Sequence, residues 1–385
     1  MRVLVAPASF KESLSAADAA RAMADGARRA GAEAVELPLA DGGRGTTACL
    51  ARPMGLAMRE VRVTGPLGDG VTAAFGLSAE SGTAVLEMAS ASGLALVPAG
   101  RRNAMRATTR GTGELVRAAI EAGARRVFLG IGDSATSDGG AGMAQALGFR
   151  LLDDRGRDIG PGAAGLADLE HIEAGARHPL LLQTEARVAC DVDNLLLGPR
   201  GAARVFGPQK GAGPDEVERI EANLARLADV IGRDLGVDVR AIPGGGAAGG
   251  LGAGAVAFLG ARLEPGADWV LAALGVRGRL AGVDLVLTGE GRFDAQSLAG
   301  KAPMALARLA GAAGVPCVVI AGSVGPGCEP ALAQGVTAVF SLVGERVTLE
   351  RAMQHAPELL AERAEQVVGR FVAGHLTGPG ATDAR

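Results

Sequence analysis

Aromatic side chains are scarce in this chain of 385 residues: they make up 3% of it, and tyrosine is absent. The formal net charge is -3, and no stretch concentrates basic residues. Proteins that bind nucleic acids need aromatic platforms for the bases and a basic surface for the phosphates. The composition therefore argues against a nucleic-acid partner.

Cysteine and histidine occur four times each, and neither is clustered. The cysteines form no CxxC pair, and no histidine lies in a glycine-rich loop. This spacing argues against a zinc site and against a disulfide framework, and it is typical of a reducing cytoplasm.

Long apolar runs are missing as well, since none reaches the roughly 18 residues that a membrane-spanning helix needs. The N-terminal MRVLVAPASF lacks the apolar stretch and cleavage site of a signal peptide and reads as a first strand. We therefore expect a cytoplasmic globular protein without membrane contact. Its length predicts two domains.

Lysine is the rarest charged residue: of 39 basic residues only Lys11, Lys210 and Lys301 are lysines. Each lies in a loop rich in Gly, Ser or Pro: APASFKESLSA, FGPQKGAGP and SLAGKAP. An ammonium is a compact point charge that phosphate sites use and that arginine does not copy. The pattern favours phosphate or carboxylate binding by these lysines.

The stretch DLVLTGEGRFDAQSLAGKAP, residues 284–303, combines a buried strand with a polar, glycine-flanked loop. In open α/β sheets, ligands bind beyond the carboxyl ends of the strands. Glu290 and Asp294 are carboxylates suited to Mg²⁺, and Ser297 and Lys301 are suited to phosphate. The alternative is a solvated loop followed by a capped helix.

Three further strand ends carry polar groups. Ser9 and Lys11 precede a helix N-terminus, a natural anion site. Asp41, in ADGGRGT, is either a metal ligand or a helix N-cap. The run GIGDSATSDGGAG, residues 130–142, predicts a backbone nest around phosphate or carboxylate, with a flexible linker as the alternative.

The run PGGGAAGG, residues 243–250, formally contains G-x-G-x-x-G and raises the alternative of a nicotinamide-dependent dehydrogenase. That fingerprint requires a strand before it and an acidic residue about 20 positions later. Pro243 stands where the strand should end, and Glu264 falls in a loop. The motif alone is weak evidence for a dinucleotide.

Several long runs together resemble class I glycerate kinases over about residues 1–373. They are, in order, FKESLSA, TGPLG, TTRGTGEL, SDGGAGMAQALG, VACDV, FGPQKGA, GGGAAGGLGAG and TGEGRFDAQSLAGK. The resemblance implies phosphorylation of D-glycerate by ATP with Mg²⁺, usually to 2-phosphoglycerate. It also implies two α/β domains with the active site in the cleft between them. One is discontinuous, with a mainly parallel, Rossmann-like sheet (1–70 plus 283–385), and the other is an inserted mixed α/β domain (71–282).

Five positions depart from the family pattern. Ala8 replaces an Asp, Arg44 a Glu, Asp133 a Gly, Ser137 an Asn and Leu195 a Pro. Because two carboxylates are lost and one charge is reversed, a catalytically impaired homologue that binds glycerate or nucleotide is an alternative. Arg44 and Asp133 are candidates for a compensating ion pair.

Phosphoryl transfer requires metal binding, charge neutralisation and orientation of the substrate hydroxyl. We assign Lys11, Lys210 and Lys301 to phosphate or the glycerate carboxylate, and Asp191 to the role of base or hydroxyl-orienting group. The candidates for Mg²⁺ are Glu290, Asp294, Asp41 and Asp138. The remaining candidate binding residues are Ser9, Ser134, Thr136, Asn194, Gly246, Gly249, Gln296 and Ser297. The sequence leaves the oligomeric state open, a homo-oligomer included.

Overall fold

A computed structural model describes residues 1–10 and 13–376, so the prediction for Lys11 lies outside the described residues. The strands are β1 (Arg2–Val5), β2 (Glu33–Glu36), β3 (Leu56–Thr64), β4 (Gly70–Ser78), β5 (Thr83–Glu87), β6 (Arg126–Gly130), β7 (Arg150–Leu152), β8 (His171–Glu173), β9 (Glu185–Ala189), β10 (Arg262–Glu264), β11 (Leu285–Thr288), β12 (Arg292–Phe293), β13 (Cys317–Ala321), β14 (Ser323–Val324) and β15 (Ala338–Ser341).

The α-helices lie between and after these strands. They are α1 (Ala16–Arg29), α2 (Thr46–Ala51), α3 (Ala89–Ser92), α4 (Arg110–Glu121), α5 (Ala141–Ala146), α6 (Gly162–Gly165), α7 (Ala202–Phe206), α8 (Pro214–Leu235), α9 (Ala247–Leu259), α10 (Gly266–Ala273), α11 (Val276–Arg279), α12 (Ala302–Ala312), α13 (Leu349–Gln354) and α14 (Ala356–Val372). No helix in the described ranges is long and apolar enough to cross a bilayer.

The chain divides into two compact units, unit 1 (Met1–Asp41 and Ala267–Arg385) and unit 2 (Gly42–Gly266). Unit 1 contains a five-stranded parallel sheet with the order β15-β13-β11-β1-β2. Its central strand β11 is buried along its whole length, as consecutive apolar residues in a sheet covered on both faces require.

Unit 2 contains a six-stranded mixed sheet with the order β10-β9-β6-β5-β4-β3. Strands β5, β6, β9 and β10 are parallel, so their carboxyl ends lie at one edge. Strands β3 and β4 continue the sheet from β5 as an antiparallel meander. The predicted mixed α/β class is confirmed.

The unit boundaries differ from the predicted positions of 70/71 and 282/283. Strand β3 pairs with β4 along its whole length, from Leu56 opposite Ser78 to Thr64 opposite Gly70. These hydrogen bonds hold residues 56–64 in unit 2, and the chain accordingly passes between units at 41/42 and 266/267.

Helix α8 shows how the local sequence sets an element of unit 2. Pro214 occupies its first turn, where no amide donor is needed, and Asp215 and Glu216 complement the positive end of the helix. Ile220 and Leu224, four residues apart, are fully buried in the core of unit 2.

Candidate active site

The predicted site residues fall into two groups, one in each unit. Those in unit 1 are Ser9, Asp41, Glu290, Asp294, Gln296, Ser297 and Lys301. Those in unit 2 are Ser134, Thr136, Asp138, Asp191, Asn194, Lys210, Gly246 and Gly249.

Glu290 lies just beyond the carboxyl end of β11, the centre of the unit 1 sheet. The backbone here is tightly packed: a methyl group on Gly289 would lie 1.9 Å from the main-chain oxygen of Ile320. Gly322 donates its amide to the Glu290 carbonyl at 3.0 Å. The neighbouring strand therefore fixes the backbone that carries the carboxylate.

Lys301 reaches the Glu290 carboxylate from the start of α12. Its Nζ lies 3.0 Å from Glu290 Oε2 and 3.4 Å from Ser297 Oγ. The Lys301 side chain is 35% exposed, whereas the Glu290 side chain is 9% exposed. The ion pair thus has a buried anion and a cation that solvent reaches.

The second carboxylate oxygen of Glu290, Oε1, is buried and has no hydrogen-bond partner in the described structure. Burial raises the pKa of Glu290, while Ser297 and Lys301 act in the opposite direction and the charge of Asp41 adds to the rise. A buried polar atom without a partner is unfavourable unless a ligand or ion satisfies it. Glu290 Oε1 is therefore an acceptor available to a ligand or ion at this strand end.

Asp294 was predicted beside Glu290 as a metal ligand, but its oxygens already have partners. Oδ2 accepts from Arg292 Nε at 3.0 Å, and Oδ1 accepts from the Gln296 amide at 2.9 Å. Gln296 itself is exposed, and Ser297 is fully buried. The described residues contain no group of three or more metal-ligating side chains.

Asp138 in unit 2 is fully buried and serves as an internal acceptor. Its carboxylate accepts from Thr109 N at 2.8 Å, Thr109 Oγ1 at 3.0 Å, and the amides of Gly140 and Gly142 at 3.2 Å. Burial raises the pKa of Asp138, and these hydrogen bonds oppose the rise. Because its acceptors face the protein interior, the structure supports a structural role for Asp138 more directly than the metal role predicted for it.

Lys210 is 1% exposed, which sequence reasoning did not anticipate. Its Nζ donates to the Thr136 main-chain oxygen at 2.6 Å. Burial lowers the pKa of Lys210 to about 7, and the charge of Asp138 opposes that shift. Lys210 therefore anchors the 130–142 loop from within, and its contact with phosphate stays a prediction.

The 130–142 loop packs against the glycine-rich start of α9. Gly139 donates its amide to the Gly249 oxygen at 3.1 Å. Gly249 has φ +70°, and a methyl group there would lie 2.0 Å from the Thr136 oxygen. Ser134 and Thr136 are both buried. These contacts argue against the flexible linker that was the alternative interpretation of this loop.

Asp191 follows β9 and is exposed. Its Oδ1 accepts from the Gly266 amide at 2.9 Å, at the end of unit 2. The side-chain amide of Asn194 donates to the Arg200 main-chain oxygen at 2.7 Å, and the main-chain oxygen of Asn194 accepts from the Gly246 amide at 2.9 Å. The structure thus brings Asp191 and Asn194 to the carboxyl edge of the unit 2 sheet.

The G-x-G-x-x-G run lacks the context of a dinucleotide fingerprint. Residues 236–246 before α9 contain no strand. The first turns of α9 are also distorted, because Ala248, Gly249 and Gly250 all have positive φ. The dehydrogenase alternative therefore has no structural support at this position.

Glu87 is a buried acid that the sequence analysis missed. It ends β5 and accepts from Gly45 N at 2.9 Å and Thr47 N at 2.7 Å. The only indication in the sequence was a carboxylate directly after the apolar run 84–86. Its hydrogen-bond partners lie 40 or more residues away, so the sequence did not connect them with Glu87.

The five departures have distinct settings. Arg44 and Asp133 are both exposed, and no ion pair joins them in the part of the chain that the structure describes. Asp133 has φ +58°, a region that glycine adopts more easily. The Ser137 hydroxyl is buried and has no partner within residues 1–10 and 13–376, and Leu195 is 42% exposed. Ala8 donates its amide to Gly289 O at 2.8 Å.

Comparison with known proteins agrees with the fold. Residues 3–372 match the model of the glycerate kinase family. The chain is 47% identical over 369 residues to glycerate kinase of Bacillus subtilis strain 168, covering 95% of this chain and 97% of that protein. It is 44% identical over 376 residues to glycerate 2-kinase of Escherichia coli K12, with coverage of 97% and 99%.

A crystal structure assigned to glycerate kinase 2 of Salmonella typhimurium LT2 has the same architecture. It superimposes with a TM-score of 0.87 at 46% sequence identity, covering 98% of this chain and 100% of that chain. Similarity of this extent spans both units. The chain therefore belongs to the glycerate kinase family, a family of phosphotransferases.

Proposed function

We propose that this protein transfers the γ-phosphoryl group of ATP to D-glycerate, with Mg²⁺, and forms 2-phosphoglycerate. The observation that carries the proposal is the buried Glu290 carboxylate at the end of a central parallel strand. One of its oxygens contacts Lys301, and the other has no partner among the described residues. Such strand ends bind ligands in open α/β sheets.

Lys301 is the residue that neutralises the transferred group. Its ammonium is held 3.0 Å from Glu290 and its side chain is 35% exposed, so that Lys301 can contact a phosphate while its position is fixed. The transferred phosphoryl group carries charge spread over its oxygens, and its transfer is catalysed mainly by positioning and by electrostatic stabilisation, which a cation of this kind supplies. Ser9, Ser297 and Lys11 complete the proposed phosphate-binding residues of unit 1.

The carboxylates of unit 1 suit Mg²⁺ better than they suit a metal that takes all of its ligands from the protein. Mg²⁺ is usually bound by one or two carboxylates, with waters and substrate phosphates completing the shell. Glu290 supplies an unsatisfied buried oxygen, and the charge of Asp41 acts on the same group. When bound there by Glu290, the ion would supply positive charge that neutralises the nucleotide phosphates.

The residues at the carboxyl edge of the unit 2 sheet are proposed to bind glycerate. Asp191 orients the substrate hydroxyl or accepts its proton, and Asn194 and the 130–142 loop supply polar groups. The scattered cysteines support a cytoplasmic location as part of the proposal.

The test is ADP release with ATP, Mg²⁺ and D-glycerate, with L-glycerate as the stereochemical control. Added enolase reports the product, because it converts 2-phosphoglycerate directly to phosphoenolpyruvate, whereas 3-phosphoglycerate first needs a mutase. Removal of Mg²⁺ by a chelator should stop turnover. ADP release without an enolase signal would refute the assignment of the product.

The Lys301→Met variant tests the site. We expect turnover to fall by at least about a hundredfold with the fold intact, because a positioned cation is lost from the reacting group. Arg21→Met is the matched control, since Arg21 is an exposed cation on α1 in unit 1. Near-normal turnover of Lys301→Met would refute the role of Lys301.

The departures at Ala8 and Arg44 support a second candidate, a family member that binds its ligands without turning over. Calorimetry then detects binding of D-glycerate or ATP while ADP release is absent. Activity that appears on the combined change Ala8→Asp and Arg44→Glu would establish this alternative.

A further inference from the structure

The turn of residues 42–47 crosses the carboxyl ends of three parallel strands in unit 2. A methyl group on Gly130, at the end of β6, would lie 2.0 Å from the Gly42 oxygen. A methyl group on Gly42 would lie 2.1 Å from the Ala189 Cβ, at the end of β9. Gly42 has φ +90°, so glycine suits both the conformation and the space. The turn therefore lies directly on the edge where α/β sheets bind ligands.

Glu87, at the end of β5, holds this turn in place. Its carboxylate is 9% exposed and accepts one amide on each oxygen, from Gly45 at 2.9 Å and Thr47 at 2.7 Å. Helix α2 begins at Thr46, and Gly45 at its N-cap has no side chain to satisfy the first amides. Glu87 supplies that acceptor from a different strand.

Arg44 is the charged residue that the turn carries. It is exposed, and none of the described residues forms an ion pair with it. The preceding Gly43 lies against the neighbouring 130–142 loop, since a methyl group on Gly132 would be 3.4 Å from the Gly43 Cα. Asp133 on that loop is exposed as well and does not pair with Arg44. Arg44, without an ion pair among the described residues, is thus exposed on the turn that lies at the carboxyl edge of the sheet.

We propose that Arg44 binds the carboxylate of the substrate acid and that Glu87 is the positioning residue that fixes the turn for this contact. The inference rests on the proposed function, because it identifies the substrate anion as glycerate. A guanidinium matches a carboxylate through two parallel hydrogen bonds, and it does so well only when its backbone is held. Glu87 provides that restraint without touching the substrate.

The experiment measures KM for D-glycerate, KM for ATP and kcat in Arg44→Ala, Glu87→Gln and the double variant. We expect KM for D-glycerate to rise about tenfold in Arg44→Ala, the effect of losing one charge-assisted hydrogen-bonded contact. KM for ATP should stay within about twofold. Glu87→Gln should raise the same KM severalfold, because a carboxamide can accept only one of the two amides.

The double variant separates positioning from general loss of stability. If Glu87 acts through Arg44, adding Glu87→Gln to Arg44→Ala leaves KM for D-glycerate nearly where Arg44→Ala put it. Asp234→Asn is the matched control: Asp234 also accepts a strand amide in unit 2, from Ile172 at 2.8 Å, but it lies on α8 and contacts β8. It should leave KM unchanged.

Three results would overturn the inference while the proposed function stands. They are an active wild type with an unchanged KM in Arg44→Ala, a rise in KM for ATP instead of D-glycerate, and effects of the two single changes that multiply in the double variant. An inactive wild type refutes the proposed function itself. Arg44→Ala is a surface change, so it remains informative even if Glu87→Gln folds poorly.

Discussion

Replacing Lys210 by methionine should change how the stability of the protein depends on pH. The Lys210 ammonium is buried, with the Thr136 oxygen 2.6 Å away. Burial lowers the pKa of Lys210 from 10.5 to about 7. A neutral amine still donates to the Thr136 oxygen, so the hydrogen bond persists after the proton is lost. Methionine has a similar length and never carries charge.

The direction in which stability changes with pH follows from whether the folded or the unfolded chain binds the proton. Below pH 7 both the folded and unfolded chains hold it, and burial of the charge destabilises the fold fully. Between pH 7 and 10.5 the unfolded chain keeps a proton that the folded chain has released, so stability rises with pH. From pH 6 to pH 9 this amounts to about 2–3 kcal/mol.

The assay is urea unfolding of the wild type and Lys210→Met at pH 6, 7, 8 and 9. The free energy of unfolding of the wild type should increase relative to that of the variant by about 2–3 kcal/mol over this range. Asp138 is present in both proteins, so its own titration largely cancels in the difference. Arg21→Met, an exposed change, should give a difference that does not vary with pH.

A constant difference between the wild type and Lys210→Met from pH 6 to pH 9 would refute this reasoning, because it would mean that folding does not lower the proton affinity of Lys210. If the difference then fell as pH rose above 10.5, Lys210 would be stabilised in its charged form. That result would favour the predicted contact with an anion.

Three further predictions concern the backbone and its buried acceptors. Asp133→Gly should stabilise the fold by about 0.5–1 kcal/mol in urea unfolding, because it relieves a positive φ; a loss of stability would contradict this. Gly289→Ala should lower the unfolding free energy by about 3 kcal/mol, since the methyl group meets main-chain atoms of β13, whereas Gly278→Ala, in open space, should be nearly neutral. Thr109→Val should cost about 1–3 kcal/mol by thermal denaturation, because the hydroxyl that Asp138 accepts from is lost; an unchanged midpoint would count against that bond.

The sequence predicts the strand-end site of unit 1 well because its parts are local. Consecutive apolar residues at 285–287 indicate a buried strand, and the structure gives β11 at that place. The acids, serine and lysine follow within 16 residues, so their grouping needs no long-range pairing. Even so, the pattern could not distinguish Glu290, which has an unsatisfied oxygen, from Asp294, which is already bonded.

Long-range pairing explains what the sequence could not show. Lysine is almost never fully buried, and the chain has few lysines. The sequence therefore indicated that Lys210 contacts a ligand, and it did not indicate the interior hydrogen bond to Thr136. Glu87 reads as an ordinary strand end until its partners 40 residues earlier are known. The predicted boundary at 70/71 differs from the observed one for the same reason, because the pairing of β3 with β4 holds residues 56–64 in unit 2.

The strand order of unit 1 has a consequence for synthesis of the chain. Strand β1 lies between β11 and β2, and Val3 pairs with Leu285. A ribosome adding about 5–20 residues per second needs roughly 15–60 seconds to make the intervening chain. Unit 2, a single continuous stretch, is complete during that interval, while the first strand of unit 1 has β2 beside it but still lacks β11. One edge of the N-terminal strand is therefore open to chaperones and to wrong edge pairing in the nascent protein.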